Sequence, residues 1–139
     1  MKKFNFRLQK VLEYREAMEQ LAQDAYLDTR VARLEAEASV LEVAERRKTL
    51  LKEPAQSLDV RQAIELKLQS LDDEEHSRHT VVEVLKAEEE KAFKAWQEKK
   101  RELEALVKLR DKAKEEYELE LTRHEQAELD EWAVLKRGA

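Results

Sequence analysis

A cluster of acids and two histidines at residues 72–79 is the first place in this 139-residue sequence to look for chemistry. Its sequence is DDEEHSRH, and residues three or four apart share one face of a helix. His76 and His79 could therefore present imidazoles to a metal ion beside a carboxylate. Two histidines do not define a metal site, and a solvated, charged helix face explains the same residues. We therefore predict that the chain holds no metal and no cofactor.

The sequence also lacks the other arrangements that enzymes use. Without cysteine there is no thiolate zinc site, iron–sulfur cluster or disulfide. The one glycine, Gly138, cannot build a phosphate-binding loop, and no nucleophile elbow or paired Ser/His motif occurs. His124 lies among acids on a helical stripe, and we interpret it as a tolerated polar residue. We predict a protein that is not an enzyme and has no small-molecule substrate.

The composition favours long helices as the elements that position these residues. Charged residues make up 42% of the chain, against roughly 25% in ordinary globular domains. Turns need Gly, Pro, Asn or Asp clusters, and the chain has a single proline, Pro54. A helix should end just before this proline, which lacks an N–H and clashes with the preceding turn. Ser57 is a candidate N-cap for the next helix, with Asp59 in its first turn.

We therefore predict an all-α fold in which two long helices form an antiparallel coiled-coil hairpin. The first helix is expected at about 4–51, the turn at about 52–57 and the longer second helix at about 58–136. Together they are expected to form a single coiled-coil domain over residues 1–139.

Apolar residues recur at the 4-3-4-3 spacing of a coiled-coil seam in both predicted helices. In the first helix this spacing follows a shift of register that resembles a stutter. In the second helix it starts at Ile64 and includes polar positions such as Glu75 and Glu89. The predicted seam residues are Leu27, Val31, Leu34 and Leu41 of the first helix, and Val82, Leu85, Trp96, Leu103 and Leu106 of the second.

The unequal helix lengths predict a stretch of the second helix that has no partner. At ~1.5 Å per residue, the first helix is roughly 70 Å long and the second roughly 115 Å. Folding back from the proline would place Phe4 near residues 104–108, so everything beyond about residue 108 would overhang. This overhang carries Tyr117, Leu121, Leu129 and Trp132. An apolar stripe of this length is rarely left in water, so it binds a partner, self-associates or is disordered alone.

Charge is distributed unevenly along the chain, whose net charge is −5. Residues 1–12 carry four basic side chains (Lys2, Lys3, Arg7 and Lys10) and no acid, whereas residues 115–131 hold eight acids against one arginine. A mildly acidic chain with interleaved charges binds nucleic acid poorly. No run approaches the roughly 18 apolar residues of a membrane span, and no signal peptide is recognisable. We expect a cytoplasmic protein whose basic start and acidic stretch lie at the open end of the hairpin, where they pair with each other or guide docking.

Two terminal motifs resemble the FliJ family of flagellar export proteins. Residues 4–15, FNFRLQKVLEYR, are similar to the family's opening pattern F-x-F-x-L-x-x-V-L-x-x-R. Residues 96–104, WQEKKRELE, with the later Leu106, Leu109 and Tyr117 and the stretch EQAELDE at 125–131, resemble its second half. The resemblance covers nearly the whole chain.

The resemblance implies a stalk-like coiled-coil hairpin that enters the ring of the flagellar export ATPase hexamer and promotes its assembly. It also implies contact with the export gate, a membrane protein, and escort of export chaperones, hence peripheral association with the inner face of the membrane. The gate contact falls on Leu71, although the neighbouring Lys67, Glu74 and Arg78 are charged here. The resemblance places the ATPase contact at the open end of the hairpin, where the overhang also lies. The residues expected to face the ATPase are therefore Phe4, Phe6, Leu8, Val11, Tyr117, Leu121, Leu129 and Trp132. A self-associating structural coiled coil, or the stalk of another rotary or virulence-type secretion ATPase, remains the alternative.

Overall fold

The computed structural model describes residues 3–138 and contains two α-helices. Helix α1 spans Gln9–Leu51 and helix α2 spans Leu58–Gly138, and the described residues include no strand. The predicted all-α hairpin with a longer second helix is confirmed. Helix α1 begins five residues later than the predicted residue 4, and α2 continues two residues beyond the predicted 136.

The turn between the helices lies where the proline predicts it. The amides of Lys52 and Glu53 donate to carbonyls of the preceding turn at 3.2 and 3.1 Å, which tightens the end of α1. The Ser57 hydroxyl accepts a hydrogen bond from the Val60 amide at 3.2 Å, so Ser57 is the N-cap of α2. Asp59 follows in the first turn, next to the positive end of the helix dipole.

Contacts divide the chain into two units. Leu21–Trp96, here called the turn unit, contains the turn with the adjoining parts of both helices. Met1–Gln20 and Gln97–Ala139, here called the terminal unit, contain the two ends of the chain. The single domain over residues 1–139 stays a prediction.

In the turn unit the helices run antiparallel. Side chains of Arg47 and Glu75 form an ion pair near the turn, and those of Arg33 and Glu89 form another further from it. Val43, Leu71 and Val82 are the buried hydrophobic residues of this unit, at 0%, 6% and 5% exposure. The packed face of α2 follows the predicted spacing, since Val82 is buried and Leu85 and Trp96 are half-buried.

The packed face of α1 is not the predicted seam. Leu27, Val31, Leu34 and Leu41 are exposed, at 44%, 52%, 48% and 68%. The buried and half-buried positions of α1 in this unit instead include Ala22, Tyr26, Thr29, Arg33, Ala36, Val40, Val43, Arg47 and Leu50. These residues keep one continuous 3-4 spacing, so the predicted stutter is also wrong. Along α1 the apolar residues move from one face of the helix to another, while the residues packed against α2 stay on one face.

In the terminal unit the beginning of the chain packs along α2. Residues 3–8 are not helical, and Phe4, Phe6 and Leu8 are half-buried while the residues between them are exposed. Leu12 of α1 is fully buried. Arg15 forms an ion pair with Glu102 across the two segments. In α2, Leu103 and Leu106 are half-buried, as is every fourth or third residue of that series through Tyr117.

Candidate protein-binding surface

The start of the chain reaches further along α2 than the helix lengths predict. The ring centres of Phe4 and Tyr117 are 5.5 Å apart, with an angle of 49° between the ring planes. Phe4 therefore packs beside Tyr117 of α2 and not beside residues 104–108. Leu121 is still half-buried. Among the described residues of this unit, the part of α2 without a partner therefore begins after Leu121, about a dozen residues later than predicted.

In the turn unit, the helices likewise do not pair from the proline onward. Arg47, near the end of α1, pairs with Asp72 and Glu75 and not with the first turns of α2. Leu58 and Leu66 in those first turns are 70% and 69% exposed. The expectation that the helices pair from the proline onward is therefore wrong in this unit.

The non-helical segment 3–8 brings the basic start beside acids of α2. Lys3 lines one groove together with Glu116 and Glu120. Phe6 and Leu8 line a neighbouring groove with Leu109 and Lys112. The expected meeting of the basic start and the acidic stretch therefore occurs within this unit, although Lys2 lies outside the described residues.

Residues 122–138 of α2, here called the tail, expose several large apolar side chains. Leu129 and Trp132 are each 60% exposed, and Val134 and Leu135 are 67% and 69% exposed. The ammonium of Lys136 lies 4.8 Å from the centre of the Trp132 ring, on the same helix. This cation–π contact covers one side of the indole and leaves its remaining surface in water.

The eight residues expected to face the ATPase ring fall into two sets. Phe4, Phe6, Leu8, Tyr117 and Leu121 are half-buried and hold the start of the chain on α2, whereas Val11, Leu129 and Trp132 are exposed. The structure does not bring the two sets into one cluster. Sequence reasoning missed Leu135, although its position three residues after the tryptophan places both on one face of the tail.

Charged side chains, not apolar ones, fill several positions where the helices meet in the turn unit. Arg33 donates to Glu89 and also pairs with Glu37 at 3.1 Å. These carboxylates, the hydrogen bond to Glu89 first, raise the pKa of Arg33 and keep it charged at every ordinary pH. Such layers disfavour any pairing that would leave the charges without partners, so they fix the alignment of the helices.

The expected gate contact lies beside one of these charged layers. Leu71 is 6% exposed and lines a groove with Leu50 and Lys67. Arg46 donates a 2.8 Å hydrogen bond to Glu74, which lowers the pKa of that carboxyl. Burial makes Leu71 part of the hairpin itself, so a partner at this place would touch the rim of the groove first.

Arg78 is another of the charged residues near Leu71, and it has partners within the hairpin. Its guanidinium donates to the carbonyl and the hydroxyl of Ser39 at 2.8 and 2.7 Å. It also pairs with Glu74 on its own helix. Arg78 therefore ties α2 to α1.

The histidine cluster lies on α2, next to acids that pair with Arg47 of α1. His79 lies 3.7 Å from Glu75, whose carboxylate also pairs with Arg47. Within residues 3–138, no three histidine, aspartate or glutamate side chains come together as metal ligands would. In the same part of the chain, no helix is both long and apolar enough to cross a bilayer.

Comparison with known families identifies the chain over nearly its full length. The family model for the flagellar FliJ protein matches residues 4–137. None of the curated proteins and none of the solved structures gives a match. The matched span includes the FNFRL start that packs on α2, both helices of the hairpin and the exposed tail. The chain therefore belongs to the flagellar FliJ protein family, as its terminal motifs predict.

Proposed function

We propose that this chain is the non-enzymatic stalk of a flagellar protein export apparatus and binds the export ATPase hexamer through its tail. The observation that carries the proposal is the exposure of Leu129, Trp132 and Leu135, each at 60% or more, in the tail of α2. Large apolar side chains grouped on one element are typical of protein-binding surfaces. The tryptophan is the expected anchor, because tryptophan is enriched among residues whose loss weakens interfaces most.

The acids of the second half give the tail a charge that a partner can recognise. Eight acids lie between residues 115 and 131. A basic lining in the centre of the ATPase ring would speed association and orient the stalk. Binding the assembled hexamer in preference to its separate subunits would then promote assembly by linkage, with no catalysis by the stalk.

The export gate and the export chaperones are further proposed partners. For the gate, the groove floored by Leu71 is the proposed contact, with Lys67 at its rim. For the chaperones, family membership alone supports the proposal. Contact with the gate would place the protein at the inner face of the cell membrane as a peripheral component.

The deciding experiment titrates the full chain into the flagellar export ATPase of the same cell while ATP turnover and hexamer formation are measured. Wild type should raise both, and Trp132→Ala combined with Leu135→Glu should lose the effect. Leu66→Glu is the matched control, because this leucine is as exposed as Leu135, at 69%, but lies in the turn unit. Stimulation by the tail variant equal to that by wild type would refute the tail as the ATPase contact.

The exposed tail also fits a self-associating coiled coil, which remains the second candidate function. Sedimentation at several concentrations separates the stalk from the self-associating coiled coil. A chain that stays monomeric at micromolar concentration would contradict self-association. A stalk role in another secretion ATPase is disfavoured by the match to the flagellar family.

A further inference from the structure

Helix α1 carries a second coiled-coil seam that α2 does not cover. Its residues, here called the outer stripe, are Leu27, Val31, Leu34, Ala38 and Leu41. All five are apolar and follow the 4-3-4-3 spacing with which one helix packs on another. All five are also exposed, and the leucines and the valine expose between 44% and 68% of their surface. The apolar spacing predicts this stripe as the seam of the hairpin, but in the structure it is exposed.

The outer stripe faces away from the hairpin's own seam. Tyr26 and Arg33 lie on the packed face, where Tyr26 stacks on Trp96 at 5.5 Å and Arg33 pairs with Glu89. The leucines of the outer stripe each follow a residue of the packed series by one position, and successive residues differ by about 100° around a helix. Helix α1 therefore has α2 on one face and an apolar seam on a nearly opposite face, as a helix lying between two others would.

A row of acids borders the outer stripe on one side. Each of its leucines is followed directly by an acid, namely Asp28, Glu35 and Glu42, all of them exposed. Glu42 lies 3.8 Å from Arg78. In a coiled coil these positions flank the seam and face the flanking residues of the partner helix. The partner should therefore carry lysine or arginine along the matching edge.

The same acids disfavour a second copy of this chain as the partner. In an antiparallel pairing the row of acids would face its own copy, with like charges together. In a parallel pairing, Arg30 of one copy would face Glu35 of the other, which is favourable. Glu37 of one copy would face Glu42 of the other, which is unfavourable. The outer stripe therefore fits a different helix better than it fits itself.

We propose that the outer stripe is the docking site for an amphipathic α-helix of another protein, with leucine-type residues in its seam and basic residues on one flank. From Leu27 to Leu41 the stripe extends roughly 21 Å, or about four helical turns. It lies in the turn unit, so this proposal does not depend on the tail to which we assign the ATPase.

The test measures binding of two synthetic helical peptides to the full chain by fluorescence anisotropy. Both peptides have leucine at the seam positions, and they differ in carrying lysine or glutamate at the flanking positions. The lysine peptide should bind with a Kd at least about tenfold lower, and Leu34→Glu should remove most of this binding. Leu66→Glu, at a site of 69% exposure outside the stripe, should leave it unchanged.

Two further variants keep the result open to refutation. Glu35→Lys should reduce the preference for the lysine peptide, and Leu34→Ala should weaken binding even if the glutamate variant unfolds, which circular dichroism detects. Equal binding of both peptides, or binding unaffected by either change at Leu34, would overturn the proposal. So would a wild-type dimer that Leu34→Glu converts to a monomer, because the occupant would then be a second copy.

Discussion

Replacing Val43 by alanine tests which face of α1 holds the hairpin together, and Val31→Ala is its matched control. Both substitutions delete the same two carbons from the same helix, and both give the same small gain in helix propensity. Val43 is fully buried, whereas Val31 is 52% exposed. Deleting two fully buried carbons costs about 1.6 kcal/mol, and the cavity left behind adds to this. After the propensity gain, we expect a net loss of about 1–2 kcal/mol for Val43→Ala and a change within about 0.5 kcal/mol for Val31→Ala.

Urea unfolding followed by far-ultraviolet circular dichroism measures the difference. With a slope of about 2 kcal/mol per molar, a loss of about 1.5 kcal/mol lowers the urea midpoint by roughly 0.7 M. The apolar spacing of the sequence predicts the opposite order, since it assigns Val31 to the seam. A larger loss for Val31→Ala than for Val43→Ala would therefore show that the outer stripe is the true packed face. It would also remove the basis for a docking site there.

Three further predictions concern charges and the tail. The hydrogen bond from Arg46 holds the pKa of Glu74 below its usual value near 4.5, so the stability it contributes is present above that pH and is lost as the pH falls. Glu74→Gln should flatten the curve of urea midpoint against pH between about 5 and 3, and parallel curves would contradict this. Arg33→Met alone should lower the urea midpoint of unfolding more than the double variant Arg33→Met with Glu89→Leu. The reason is that the single change leaves the half-buried carboxylate of Glu89 without its partner. The reverse order would show that the pair does not act as a unit. Truncation after Thr122 should leave the melting temperature within a few degrees but abolish ATPase stimulation, and retained stimulation would place the contact elsewhere.

The fold could be predicted because its signals are local. One proline in a glycine-poor chain leaves a single place for a turn, and Ser57 caps α2 as predicted. The packed face of α2 follows the spacing that starts at Ile64, because Leu71, Val82 and Leu85 mark one stripe strongly. Both observations depend on residues close together in sequence, which is where propensity and spacing carry information.

The packed face of α1 could not be predicted in the same way, because its identity depends on the other helix. Arg33 and Arg47 are poor seam residues by type, and they occupy the seam because α2 supplies Glu89 and Glu75. A search for apolar spacing therefore selected the outer stripe, which is the more apolar of the two. The true seam is recognisable only once the acids of α2 are matched against the arginines of α1.

The position of the chain's start was also missed, although the sequence contained a signal for it. Phe4, Phe6 and Leu8 alternate with polar residues, a period of two that fits a segment outside a helix better than a helical turn. The structure begins α1 only at Gln9. The alternating side chains reach Tyr117, which shortens the overhang but leaves Trp132 beyond it.

A two-helix fold offers few faces on which apolar side chains can be buried. A hairpin of two helices can bury one stripe on each helix, and among the described residues only Leu12, Val43, Leu71 and Val82 are buried hydrophobic residues. Helix α1 has two stripes of seam spacing, so whichever one faced α2, the other would remain outside. The tail has a further apolar face and no opposite segment in its unit. A two-helix hairpin leaves these apolar side chains exposed, and we propose that other proteins cover them.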